Sequence, residues 1–354
     1  MNLRKIVLST LCLCLSASTM MADDTKRIKA RDSGLAWLAK NQAADGSWGK
    51  QYTLAVTSFA ALAQLAAHDE PFEGESGRSL VRGLKYLLSK QTNGMFASQG
   101  HSWIHGQGFA TLALSEAYGR SLTCKVKPDL DMKKVRETVA QAVGHIAKQQ
   151  SASGGWWYTP GSPGNHEGST TVCAVQAFVS ADNFGIEIDR KVLARGFQYL
   201  KKCQNPDGGF DYQLGPGTTS MKEGTAGGVA TLGLMRKFDY LVMMKGYQFL
   251  LKITPQSITA ERFPYYGHFY GTMGMRLLGQ EFKSFREKTD GYMTGAQADL
   301  LAWQQADGSW PIKSWVKSNG GEAAGYATAF TTLTLSIADG RLSIFNRHRP
   351  KLEE

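Results

Sequence analysis

"NQAADGSWG" (residues 41–49) ends an amphipathic stretch in a glycine turn, and "QQADGSWP" (residues 304–311) says almost the same thing near the other end of the chain. Weaker copies stand between them: "QTNGMF" from Gln91, "QSASGGW" from Gln150 and "QNPDGGF" from Gln204. A sixth belongs at Gln256, where "ITPQSITAERF" has lost the glycines. From Gln42 to Gln304 the successive intervals are 49, 59, 54, 52 and 48 residues, a fixed period with loop insertions. Self-similarity at such a period is the signature of a repeat architecture.

The contents of each unit are also constant. An amphipathic helix, such as "KRIKARDSGLAWLAKNQ" from Lys26, runs into Gln-x-x-Asp-Gly-x-Trp, where glycine supplies the left-handed backbone that stops it. The next helix is apolar almost all round, as in "YTLAVTSFAALAQLAA" from Tyr52, and this composition recurs over 106–117, 169–179, 224–234, 266–278 and 326–337. Such helices are buried on every side. The pairing predicts an all-α fold of two concentric rings of six helices, built from six helical hairpins, with the buried helices inside. An open solenoid needs atypical polar repeats at its ends, yet here the terminal repeats carry the best copies of the motif. The ring is therefore expected to close, with its first and last helices in contact.

Gln-x-x-Asp-Gly-Ser-Trp ahead of a buried helix resembles the repeat of terpenoid cyclases (squalene and hopene cyclases) and of protein prenyltransferase β subunits. The resemblance covers nearly all of the chain after residue 22 and implies their fold, an α6–α6 toroid. It implies that the repeat Gln and Trp brace neighbouring helices. The activities are a different matter. The acid motif Asp-x-Asp-Asp of the cyclases is absent, and the nearest strings, Asp129-Leu-Asp131 and Asp23-Asp24, read as solvated carboxylates. The Asp-x-Cys element of the prenyltransferase zinc site has no counterpart, although His268 falls where a late-repeat histidine stands. The Gly-Cys-Gly-Glu-Gln thioester sequence of complement proteins, a third user of this fold, is missing too. No metal and no cofactor are expected.

Arg4 and Lys5 precede an apolar run from Ile6 to Leu15, and small or polar residues lead to a cleavage point after Ala22. Residues 1–22 read as a signal peptide and 23–354 as one toroid domain, so a periplasmic or secreted protein is expected. No later stretch is apolar enough to span a bilayer. The formal charge of +10 favours acidic partners, but nucleic acid is excluded by the leader and the lack of a basic run. Three cysteines follow the leader, Cys124, Cys173 and Cys203. They read as buried thiols, a Cys173–Cys203 bridge being the lesser alternative. A monomer is expected.

Every repeat turn joins an outer helix end to an inner helix start, so the inner N-termini share one rim. The longer connections, 92–105, 151–168, 205–223, 254–265 and 305–325, lie there too, and loops of this kind carry function. Unpaired N–H groups at those helix starts suit an anionic or carbonyl-bearing ligand. Polar groups unusual for buried helices gather at this rim. Glu223, His268 and His105 are the candidate catalytic residues, since Glu and His carry protons near neutral pH. His101, Trp103, His166, Glu167, Lys222, Tyr265, Tyr266, Tyr270, Glu322 and Tyr326 are the candidate ligand-binding residues.

Three functions compete at this stage. The first is a toroid that binds or transforms an extended apolar or amphipathic, isoprenoid-like ligand in a central cavity. The second is a polysaccharide lyase acting on uronate polymers, with Asn165, His166, Tyr266 and His268 as its set. The third is a non-enzymatic module gripping a peptide or envelope partner.

Overall fold

A computed structural model describes residues 24–96, 103–215, 219–235, 239–313 and 323–348. Its plan follows from the repeat turn. Gly46 and Gly308 take φ of 90° and 89°, which side-chain-bearing residues rarely adopt. A Cβ on Gly46 would also stand 2.5 Å from the Arg82 carbonyl oxygen, and one on Gly308 2.7 Å from that of Ser33. Each turn is thus pressed against the outer helix of the next unit.

The repeat glutamine fastens that contact. Gln42 Nε2 donates to Gly46 O in its own turn (2.8 Å) and to Ser79 O in the next outer helix (2.9 Å). Gln150 repeats this with Gly154 O and Val192 O, Gln204 with Gly208 O and Val242 O, and Gln304 with Gly308 O and Ala30 O. The repeat tryptophan works backwards: the indole N–H of Trp48 donates to Leu38 O, Trp156 to Ile146 O and Trp310 to Leu300 O. All three rings are fully buried. The expected bracing role is what these bonds perform. The degenerate copy differs, because Gln256 reaches only the Asp299 carboxylate (3.3 Å), from a short helix that replaces the glycine turn.

Outer helices are α1 (24–40), α3 (Gly74–Ser89), α5 (Met132–Lys148), α7 (Arg190–Lys202), α9 (Tyr240–Lys252) and α12 (Arg286–Ala302). They alternate with inner helices α2 (Thr53–Ala67), α4 (Trp103–Thr123), α6 (Gly168–Asn183), α8 (Lys222–Leu232), α11 (Pro264–Glu281) and α13 (Ala323–Leu335). The short helix α10 (Pro255–Thr259) and a two-stranded ribbon, β1 (Gln91–Thr92) with β2 (Met95–Phe96), complete the main elements. Every residue of α2 after Thr53 is buried, whereas α7 buries one stripe, Val192, Gly196, Phe197, Tyr199 and Leu200. That contrast separates the two rings.

Inner helices touch in chain order, α2 to α4, α4 to α6, α6 to α8, α8 to α11 and α11 to α13, and α13 returns to α2. The seam is closed outside as well. Arg27 of α1 donates to Leu335 O of α13 (2.5 Å) and pairs with Asp339 (2.8 Å), which also pairs with Arg31 (2.7 Å). At the inner-helix C-terminal end the last turns of the chain close the ring. There the buried Glu116 carboxylate accepts from the Ser343 N–H (2.9 Å) and hydroxyl (2.5 Å), and Arg276 donates to Phe345 O (2.9 Å). Leu342, Ile344 and Phe345 are fully buried by this arrangement. The fold is an alpha-alpha toroid, as the repeat predicts. Cys124, Cys173 and Cys203 are buried free thiols, and no helix among the described residues is long and apolar enough to cross a membrane.

Candidate functional site

At the other end, where the inner helices begin, the ring encloses a cavity of about 560 Å³, within the range of small-molecule sites. All six inner helices or the residues just before them contribute. Most of the wall is apolar: Phe59, Phe109, Val172, Tyr266, Tyr326 and Phe330. Phe59 is the hub of its aromatic side, with ring centroids 4.4 Å from Phe109 and 4.0 Å from Phe330. Tyr266 can stand in the wall because α8 carries glycine opposite it; a Cβ on Gly227 would be 2.5 Å from the tyrosine oxygen. Beneath lies a dry layer in which the Tyr270 hydroxyl donates to Gln176 Oε1 (3.1 Å), both residues fully buried. Tyr52, Tyr212 and Arg262 of the cavity lining are exposed and mark its mouth.

Polar groups also line the cavity, from Gln51 before α2 round to Arg262 before α11, and Glu167 is at the centre of the largest hydrogen-bonded group. Glu167, 1% exposed, caps α6 by accepting from the Thr170 N–H (2.8 Å), the ordinary work of an N-cap carboxylate. It accepts also from the Tyr158 hydroxyl (2.7 Å) and, through a short bond, from the Ser169 hydroxyl. The chain of contacts continues outward from Tyr158 to the Tyr212 oxygen (2.8 Å) and inward from Ser169 to His105 Nε2 (3.1 Å). Burial pushes the Glu167 carboxyl up, against the pull of its hydrogen bonds to Ser169, Tyr158 and Thr170. The same burial pushes His105 down to about 4, so its imidazole is neutral near pH 7. Two further carboxylates line the space. Glu223, 4% exposed, accepts from the Phe263 N–H (3.2 Å), and Asp211, 8% exposed, from Asn205 Nδ2 (2.7 Å).

Of the residues singled out in the sequence, His105, Glu167, Glu223, Tyr266 and Tyr326 line the cavity. Others belong elsewhere. Lys222 pairs with Glu261 (2.6 Å), His166 Nδ1 meets the Tyr199 hydroxyl (3.0 Å), and Tyr265 donates to Pro311 O (2.5 Å). Trp103 packs its edge on His145 of α5 (5.6 Å). His268 is 0% exposed and stands edge-on to Trp303 (5.3 Å), outside the cavity lining, with neither ring nitrogen hydrogen-bonded among the described residues. His101 and Glu322 lie outside the described residues, as does the leader. Among the described residues no group of three His, Cys, Asp or Glu is placed to hold a metal.

Sequence reasoning missed Phe59, Tyr158, Ser169, Asp211 and Tyr212. One signal could have found the tyrosines: Tyr158 and Tyr212 each stand two residues after a repeat aromatic, Trp156 and Phe210. Those aromatics are held in isolated bridges to Glu167 and Met221, beside the inner helix starts, so an extended backbone there aims its neighbours at the mouth.

Comparison with known proteins agrees with this architecture. A terpene cyclase–glycosyl transferase fusion protein of Humicola fuscoatra is 24% identical over 196 residues, 48% of this chain but 14% of that protein. The chain thus spans only a small part of this relative's length. Among solved structures, a variant of the type II terpene cyclase MstE from Scytonema, in complex with merosterolic acid A (product), superposes with a TM-score of 0.59 at 16% identity, over 91% of this chain and 99% of that one. A second variant of it was solved with geranylgeranyl dihydroxybenzoate (substrate). An alpha-1,6-mannanase from Salegentibacter sp., in complex with alpha-1,6-mannotriose, gives a TM-score of 0.61 at 8% identity, covering 88% and 98% of the two chains. At such identities these likenesses speak for the fold. The prenyltransferase alpha-alpha toroid domain family matches residues 2–195 and 185–254, more than half of the sequence, and the chain belongs to that family.

Proposed function

We propose that this protein takes one elongated, isoprenoid-like ligand, apolar or amphipathic, into its cavity, and that the ligand's polar end stays beside Glu167. The observation that carries this reading is the wall itself, apolar over most of its lining and hydrogen-bonded around Glu167. Each methylene moved from water to that wall contributes about 0.8 kcal/mol. A linear chain collects this along the depth of the cavity, whereas a sugar polymer leaves its hydroxyls without partners there. Glu167, Glu223 and His105 are the proton-carrying groups beside the polar end. Any chemistry at this site runs through them, without the Asp-x-Asp-Asp acid or a zinc ion. We further propose that residues 1–22 export the chain to the periplasm or medium, and that it acts there as a monomer.

The lyase reading has less support. Asn165 is exposed, His166 turns to Tyr199, and His268 of α11 faces Trp303, so the four residues it needs do not meet. The test is calorimetric titration of the purified protein with farnesol, beside the Val172→Trp variant, which fills the cavity from the rigid wall of α6. Saturable uptake by the wild type and its loss in a variant that still melts cooperatively is the expected result. Failure of the wild type to take up farnesol or any extracted lipid would refute the proposal.

A further inference from the structure

The cavity mouth is acidic although the chain as a whole is basic. Three carboxylates line it, Glu167, Asp211 and Glu223, each at most 8% exposed, and the one cation in the lining among the described residues is the exposed Arg262, which lies over its neighbour Phe263 (5.3 Å). Inner helix starts would attract an anion. Here two of them are already answered from within the chain, because Glu167 caps α6 and Glu223 stands in the first turn of α8. Opposite charge near a helix N-terminus offsets its partial positive charge, so no surplus remains there for a phosphate. His105 adds none, being neutral near pH 7. A separate feature points to a partner from outside: the Tyr266 hydroxyl, in the cavity wall and out of contact with solvent, has no hydrogen-bond partner among the described residues.

Resting on the reading above, we propose that the head group of the ligand is a hydrogen-bond donor, an alcohol or an amine, and that the mouth rejects phosphates and carboxylates. An ionised carboxylate can only accept, and a hydroxyl or ammonium offers a further donor beside those that Asp211 takes from Asn205 and Glu223 from the Phe263 N–H. A diphosphate brings several negative charges against three acidic groups in a site of low dielectric, where like-charge repulsion is strongest. This departs from the expectation of an anionic ligand drawn from the net charge and from the inner helix starts.

The experiment is a titration of the full chain at neutral pH with four probes sharing one chain: farnesol, farnesylamine, farnesoic acid and farnesyl diphosphate. Farnesol and the amine are expected to bind at least tenfold more tightly than either anion. In the Glu223→Gln variant the gap between farnesol and farnesoic acid should narrow severalfold. Equal or tighter binding of farnesoic acid or the diphosphate by the wild type overturns the head-group assignment while leaving the apolar cavity reading intact. Binding of none of the four overturns both. The wild-type comparison decides the matter even if the variant does not fold.

Discussion

If the ring is closed by the same bonds that join its interior units, then cutting the seam costs as much as cutting any other joint. Gln304 Nε2 donates to Ala30 O (2.9 Å) and Gly308 O (3.1 Å), joining residues 274 apart in sequence. Gln204 makes the equivalent pair inside the chain, to Val242 O (2.8 Å) and Gly208 O (3.2 Å), and the longer reach is 38 residues. Each bond contributes about 0.5–1.5 kcal/mol net, and the bared carbonyls are only partly accessible to water. Gln304→Ala and Gln204→Ala should therefore each lose roughly 2 kcal/mol, read from urea midpoints at unchanged m-value. In a chain of this size that corresponds to about 3 °C in melting temperature. The two losses should agree within about 0.5 kcal/mol, because the geometry does. A Gln304→Ala variant as stable as the wild type, beside a Gln204→Ala variant that is not, would show that the seam is open in solution and that the ring argument is wrong.

Two further outcomes follow from buried charge. Burial alone would raise the Asp339 carboxyl, but hydrogen bonds and charge from Arg27, with Arg341 and Arg31, hold it below its ordinary range. Its stabilisation is therefore present above the unfolded carboxylate value near 3.8 and is lost as pH falls through the lower folded value. Asp339→Asn should cost about 2 kcal/mol at neutral pH by leaving the buried Arg27 and Arg31 with only the more exposed Asp24 and Asp32 as ionic partners, and the difference from wild type should shrink in unfolding curves taken below about pH 4; a constant difference would contradict the charge account. His268 behaves oppositely in pH: burial lowers it to about 4, so its folded form is neutral and stability is lost as pH drops from about 6.5 toward 4. His268→Leu should be neutral or stabilising at pH 7, since two nitrogens without partners among the described residues are removed. It should also abolish about 2 kcal/mol of the wild type's loss at pH 5, and a variant that keeps the full pH dependence would clear His268 of the effect.

The ring was legible because its determinants are local and repeated. A helix end, a glycine at positive φ, a glutamine and an aromatic recur within seven residues, and five copies leave little room for another fold. Inner and outer helices separated by composition alone. The site was only half legible, and the errors have one cause. Residues were chosen for lying within a turn of an inner helix start, but successive residues on a helix point 100° apart, so a pair two apart cannot share a face. Tyr266 enters the cavity and His268 consequently meets Trp303. His105 enters it and Trp103 consequently meets His145. Phase cannot be set from a helix buried all round, since its sequence has no polar side to mark the outside. Tyr158 and Tyr212 escaped for the opposite reason, standing in irregular connections where no periodicity speaks.

The same geometry explains why so regular a repeat says so little about chemistry. The Gln and Trp of each copy make their bonds at the outer helix ends, Gln42 to Ser79 O and Trp48 to Leu38 O, and neither residue lines the cavity. Residues that hold the ring and residues that face the ligand are thus largely different sets, although the repeat aromatic Phe210 belongs to both. A change at Val172 alters what fits inside while leaving the Gln and Trp bonds in place, and a change at Gln304 loosens a joint at a residue outside the lining. Selection on ligand can then remove an acid motif or a zinc site and leave every turn intact. This is the combination found here: five of the repeat turns hold their glycine at positive φ, around a mouth whose Glu167, Tyr158 and Tyr212 match none of the family's familiar catalytic sets.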